Sequence, residues 1–238
     1  MDSILTISKK ELAGFFESLS GYIVLIAFLG FTGFFTWLYG SDIFIRKQAD
    51  LVVFFSIAKW TLFFFIPAIT MKLISEEKNS GTLELLLTKP VNESQVVIGK
   101  FFAAFFLVAI ALALTLIYYI SVSYLGKVDH GAIISGYLGL LLFSAAYIGI
   151  GLFASSISKN QIVAFLLALF IGIFFQIIFD ILAGSISGLS GKIFDFLSLS
   201  GHLDSISRGV WDTRDIIYFL SICILGIELA KENLAFRK

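Results

Sequence analysis

Gly188-Leu189-Ser190-Gly191 sets a serine in the G-x-S-G form of a nucleophile motif, and His202 follows downstream as a candidate base. Such a pair would do acyl transfer, the histidine drawing the proton from the hydroxyl. A glycine- and serine-rich loop meets the same four-letter pattern by composition alone, and that is the simpler reading. Other chemistry is missing by residue type. The 2 histidines, His130 and His202, fall in separate predicted loops, and no H-E-x-x-H spacing occurs, so no zinc site is expected. No G-x-x-x-x-G-K-[ST] run exists: Gly191-Lys192 is followed by Ile193, and position 186 is Ile186. Hydrolysis of ATP by the chain itself is therefore not expected. Glu76-Glu77 opens an E-E-x-x-x-R peptidase pattern, but the arginine position holds Gly81. The single Cys223 lies in an apolar segment and leaves no disulfide framework.

The elements that would position these residues are those of a membrane. The chain of 238 residues is 58% apolar and 14% charged, with 27 phenylalanines and a formal net charge of zero. Its mean hydropathy is +0.97. This composition predicts an all-α integral membrane protein with the lipid bilayer as its first partner, and no nucleic acid among the others. A helix needs about 20 apolar residues to cross the hydrocarbon core. Six stretches come close: 20–39, 58–73, 96–124, 132–155, 161–183 and 216–230. Lys59 interrupts the head of the second, so Leu51 to Ile57 reads as a short interfacial piece from which the lysine snorkels. No cleavable signal precedes the first. Ahead of it, Ile4, Leu5, Leu12, Phe15, Phe16 and Leu19 recur at helical spacing around Ser8, Lys9, Lys10 and Glu11, predicting an amphipathic helix over 1–19 in the interface. Asn92 with Gln95, and Ser158 with Gln161, resemble capping boxes before long apolar runs.

With the N-terminus inside, ten Lys and Arg face the cytoplasm and six face out, Lys59 not counted. Both termini and the loop 74–95 are then cytoplasmic. The segment 184–214 lies outside and, being half apolar, is expected to dip into the leaflet as short helices. No second domain or repeat interrupts the membrane domain.

Polar residues within the spans are few. Gln176 and Asp180 stand four apart, so a regular helix puts them on one face, either as interhelical hydrogen-bond glue or as contacts on a translocation path. Gly139, Ala145, Gly149 and Gly151 form small faces that let helices approach closely. Glu228 and Lys231 read as an interfacial ion pair.

Between spans two and three stands an island of charge, "SEEKNSGTLELLLTKP". Thr82 to Thr88, read as a helix, sets Leu83, Leu86 and Leu87 on one side and Glu84 on another, and Pro90 ends it. So short a helix needs a partner surface. "EEKNSGTLELLLTKPVNESQVVIGKFF", Glu76 to Phe102, resembles the cytoplasmic loop of ABC-2 type permeases, with the form E-E-[KR]-x-x-G-T-L-E-x-L-L-x-x-P-[VL]-x(4)-[IV]-[IV]-x-G-K. "KKELAGFFESLSGYIV", "SSISKNQIVAFLLA" and "GHLDSISRGVWDTRDIIYFLS" extend the resemblance over nearly the whole chain, closest to the gliding-motility (GldF type) branch. Lys59-Trp60 departs from it, a proline being expected before the tryptophan.

The resemblance implies an ABC-2 (type V exporter-like) permease fold and a permease subunit driven by a separate ABC ATPase, with ATP and Mg on that partner and no cofactor on this chain. It makes 81–88 the coupling helix, with Glu76, Glu77 and Lys78 beside it, in a multi-pass protein of the bacterial inner membrane. A second permease copy, or a related membrane subunit with a large outer domain, would complete the complex. Apolar spans with few charges would suit lipid-like, polysaccharide or other hydrophobic cargo. Two other readings stand beside this one. Rhomboid proteases carry G-x-S-G on a six-helix core, and an ATP-independent transporter would use paired charges and broken helices inside its spans.

Overall fold

The computed structural model describes residues 2–39, 48–88 and 90–235. Arg46, Lys47, Lys89, Arg237 and Lys238, which enter the charge count, lie outside them. The described residues form helices α1 (Asp2–Glu17), α2 (Leu19–Trp37), α3 (Val52–Ser80), α4 (Thr82–Leu87), α5 (Glu93–Leu114), α6 (Leu116–Leu125), α7 (His130–Ile157) and α8 (Gln161–Ile173). A π-turn (Phe174–Ile178) then leads to α9 (Phe179–Ser185), α10 (Leu189–Leu197), α11 (Leu199–Ser207) and α12 (Thr213–Ala235).

Among the described residues four helical units are long and apolar enough to cross a membrane: α3, α5 with α6, α7, and α8 through α9. They become five if α1 and α2, bent by 73°, count as one span. The sixth predicted span, within α12, does not qualify, because its uncharged run is cut off between Asp215 and Glu228.

α7 is the axle of the bundle, with α3, α5, α8, α11 and α12 packed around it. Its small residues are used up inside the chain. A Cβ on Gly139 would meet Leu203 and Ile206 of α11; on Gly149, the Cys223 backbone of α12; on Gly151, the Thr70 side chain of α3. Gly139, Gly149 and Gly151 of the small faces read from the sequence therefore pack this chain on itself. Ser155 adds a polar fastening, its hydroxyl donating to the Met71 carbonyl at 2.9 Å and accepting from the amides of Ile74 and Ser75 at 3.2 and 3.1 Å.

Three expectations about span two and its neighbours change. α3 runs unbroken from Val52, so Leu51 to Ile57 is the head of the span and not a separate interfacial piece. Lys59 does not snorkel: it is 8% exposed, with Nζ donating to Ser200 Oγ at 2.9 Å and pairing with Asp204 at 3.0 Å. A partner on α11 replaces the water a snorkelling lysine would seek. The second capping box also moves, since the cap of α8 is Asn160, whose side chain accepts from Ile162 N–H at 2.8 Å, while Ser158 holds the Asn160 amide at 2.9 Å. At α5, Asn92 and Gln95 do form the box, the Asn92 amide donating to Gln95 Oε1 at 3.0 Å.

Predicted span three runs on as one unit through a single turn residue at Thr115, where the Thr115 hydroxyl turns back onto the Leu112 carbonyl at 2.7 Å and Tyr137 of α7 donates to the Thr115 carbonyl at 2.9 Å. The segment after span five does form short helices, α10 and α11. α10 leaves Leu189, Ile193 and Phe196 exposed.

Candidate functional site

The island read from the sequence divides between two helices. No residue between Leu73 and Ser80 breaks a helix, so α3 continues through Glu76, Glu77 and Lys78 instead of opening into a loop at 74. Gly81 stops it, at φ +72, a left-handed conformation that costs a residue with a Cβ about 1–2 kcal/mol. The Ser80 and Thr82 hydroxyls, 2.8 Å apart, close the corner from which α4 leaves.

Within α4, Leu83 is buried, Leu86 half-buried, and Glu84, Thr82 and Thr88 are exposed. Leu83 belongs to the protein's own core, so it is not part of a free docking face. Leu85, which the helical reading left aside, is 66% exposed. The Leu87 side chain lies outside the description, and Pro90 is exposed just ahead of the Asn92 capping box. The predicted leucine face is thus split: Leu83 holds α4 to the body, and Leu85 with Glu84 faces out.

Behind this corner lies a charged knot. Gly99 on α5 lets α1 come close, for a Cβ there would stand 2.7 Å from the Ile7 side chain. That approach brings Glu11 of α1 to Lys100 Nζ at 3.2 Å, while Glu77 of α3 reaches the same nitrogen at 2.8 Å. Lys100 is fully buried, and the second Glu77 oxygen is buried without a hydrogen-bond partner. A lysine held between two carboxylates ties three helices at one point, and removing one partner of such a buried pair costs about 3–5 kcal/mol. Lys72 lies over the Phe15 ring at 4.5 Å, adding a second tie from α3 to α1. Lys10, Glu11, Lys72, Glu76, Glu77 and Thr82 line a cleft of about 340 Å³ beside the knot.

Lys78 has a different task. Its ammonium donates to the Ser156 carbonyl at the end of α7, and Asn233 Nδ2 of α12 donates to the same carbonyl at 2.6 Å. A cation at a helix C-terminus satisfies an orphan carbonyl and complements the dipole. Of the predicted residues, Glu77 alone joins the knot, Lys78 caps α7, and Glu76 stays at the surface. Lys100 and Glu11 were missed as site residues. The available signal was a lysine set in an apolar run, "VVIGKFF", since ionisable residues in such runs seek partners inside the protein.

Gln176 lies in the π-turn and Asp180 in the first turn of α9. A π-turn closes i→i+5 hydrogen bonds and so holds more than four residues, which keeps positions four apart near one face; what separates the two is burial. Gln176 is 2% exposed with neither amide atom partnered, whereas Asp180 is exposed and accepts from Ser198 Oγ at 3.5 Å. The Tyr147 hydroxyl, set against Gly172 one turn earlier, is also buried and unpartnered.

His202 is not a base for Ser190. Nδ1 lies 2.6 Å from Asp215 Oδ1, Nε2 lies 2.9 Å from the Phe196 carbonyl, and the ring stacks on Tyr218 at 4.1 Å. Both nitrogens are committed to structure, and Ser190 is exposed on α10. Among the described residues no group of His, Cys, Asp and Glu could hold a metal ion.

A bundle of helices long and apolar enough to cross a membrane several times, with a charged corner at one end, is the architecture of a multi-pass membrane protein. The sequence profile of the ABC-2 family transporter protein matches residues 5–199, most of the chain, and the chain belongs to that family. It is a membrane transport permease. Members of the family typically work with an ABC ATPase and are membrane components, generally not themselves catalytic. The matched segment takes in the charged knot and ends at the first residue of α11, before the whole of the third resembling stretch and before α12. Among curated proteins no relative matches the chain.

Proposed function

We propose that this permease is the membrane subunit of an ATP-driven transporter of the inner membrane, in which α4 receives a separate ATPase and the Lys100 knot carries its motion into the spans. The observation that carries this reading is the corner itself. A six-residue helix leaves a 29-residue span through a left-handed glycine, and that span is tied by ion pairs to α1 and α5 immediately before the turn. Force applied to α4 would move α3, α1 and α5 together as a rigid group.

In this reading α2 and α12 complete six spans, α1 lies in the interface, and both termini face the cytoplasm with α4. ATP and Mg stay on the partner, and the resemblance over Glu76 to Phe102 favours the gliding-motility branch, where the output is export or mechanical work. A second copy or a related membrane subunit with a large outer domain completes the path. Support for that comes from span five: only 22% of its apolar window is buried within the chain against 72% for α7, which leaves Ile162, Leu166 and Phe170 uncovered.

Purification of the chain in mild detergent from its native membrane tests the proposal. An ATP-binding subunit should accompany it, together with a second membrane subunit. Transport by the purified chain alone in vesicles, without any ATPase, would overturn it.

A further inference from the structure

Another charged cleft lies at the other end of the bundle, between the head of α3 and α11. It has a volume of about 330 Å³ and is lined by Val52, Phe55, Ser56 and Lys59 on one side and by Asp204, Ser207 and Arg208 on the other. Its charges are two cations and one carboxylate, so it is net positive. Lys59 is held inward by Ser200 and Asp204. Arg208 is exposed, and among the described residues it is held through Nε, which donates to the Asp204 carbonyl at 3.0 Å and leaves the other guanidinium nitrogens for a further partner. Ser56 is exposed at the rim, and Val52, 59% exposed, gives that rim an apolar edge.

The depth of the cleft is marked independently. All 3 tryptophans of the chain sit at this end: Trp37 closes α2, Trp60 follows Lys59, and Trp211 precedes α12. Trp60 and Trp211 are 43% and 52% exposed. Tryptophan collects at the level of the lipid headgroups, where one side of the ring is apolar and the other wet. A net-positive cleft with hydroxyls and one apolar edge therefore opens at the depth where a bilayer presents its phosphates.

We infer that this cleft binds the phosphate of a glycerophospholipid headgroup. Arg208 supplies the paired N–H donors that match phosphate oxygens, Lys59 supplies the charge behind them, and Ser56 supplies a hydroxyl. Asp204 keeps Lys59 in place and lowers the net charge without reversing it. The glycerol and the first acyl carbons would lie along Val52. Because Lys59 and Arg208 belong to different elements, a bound headgroup would join α3 to α11 at the end of the bundle opposite α4.

The test uses the full chain in detergent, with dioleoyl phosphatidylglycerol as the probe and native mass spectrometry and thermal unfolding as readouts. The lipid should bind and raise the unfolding temperature. Arg208→Gln should weaken binding about tenfold, the loss of one charge-assisted contact, while Lys192→Gln, the same charge change on α10, should leave it unaltered. Dioleoylglycerol, which has the chains without the phosphate, should not compete. Equal binding by wild type and Arg208→Gln would overturn the proposal, as would full competition by dioleoylglycerol. Complete displacement by an equal concentration of sodium phosphate would overturn the lipid as the source and assign the cleft to a soluble anion.

Discussion

Lys100 Nζ stands 2.8 Å from a Glu77 carboxylate oxygen, in a place where the lysine has no exposure at all. The two residues lie on different helices, and Glu11 on a third helix shares the same ammonium. Lys100→Ala leaves two carboxylates facing each other without a cation. It should lower stability by about 3–5 kcal/mol. In a Glu11→Gln, Glu77→Gln background the same change should cost far less. Unfolding titrations of the four proteins in one detergent measure the coupling, and equal losses in both backgrounds would remove the knot from the account.

Leu85 and Leu83 separate docking from folding. Leu85→Asp alters an exposed position, so the protein should insert and unfold as the wild type does, while co-purification of the ATPase falls. Leu83→Asp places a charge in the core and should lower stability as well. An undiminished yield of ATPase with Leu85→Asp rules out α4 as the docking element.

Gly81→Ala tests the corner. A Cβ meets nothing within 4 Å there, so the cost is conformational alone, about 1–2 kcal/mol for a left-handed residue. Part of that strain is relieved by re-aiming α4. The expected result is an ATPase that still binds and hydrolyses ATP but drives transport weakly, with Gly81→Asn milder than Gly81→Ala. Identical transport per ATP in all three proteins would show that the angle of α4 has no role.

Gln176→Leu removes a buried amide whose two polar atoms have no partner. Each such group costs about 1–3 kcal/mol to bury. The variant should therefore be more stable than the wild type and poorer in transport, since a costly polar group in a π-turn is kept for what it does in another conformation. Greater stability with full transport would return Gln176 to the role of a packing residue.

Ser190→Ala should change neither stability nor activity. Asp215→Ala, by contrast, strips His202 of its carboxylate inside the protein and should loosen α11 from α12, measurable as faster hydrogen exchange in α11.

What could be read from the chain in advance was the local part. The Asn92 and Gln95 box needs only neighbours three residues apart, and the apolar runs declare their helices by length. Gly81 and Pro90 marked the bounds of α4 for the same reason. The contacts that give charges their meaning lie far apart in sequence: Lys59 finds Asp204 145 positions away, and Lys100 finds Glu11 at 89. No pattern of period announces such pairs, so Lys59 read as a snorkelling residue and Lys100 as one more positive charge. Gln176 and Asp180 are a different case. Spacing sets them on one side of a helix, but nothing in "FFQII" discloses the π-turn, or that the first is buried and the second exposed.

Along the inner side of α8, Ala164, Ala168 and Gly172 are the buried positions. None of them has a side chain long enough to reach into α7, and the gap they leave at Gly172 is filled by the Tyr147 ring of α7. α3, in contrast, is keyed to α7 by the Ser155 hydroxyl and by Lys78. The bundle accordingly has one seam pinned by directional hydrogen bonds and one held by shape alone, a single ring in a glycine socket, so a thrust delivered at α4 would be resisted in different ways on the two sides of the axle.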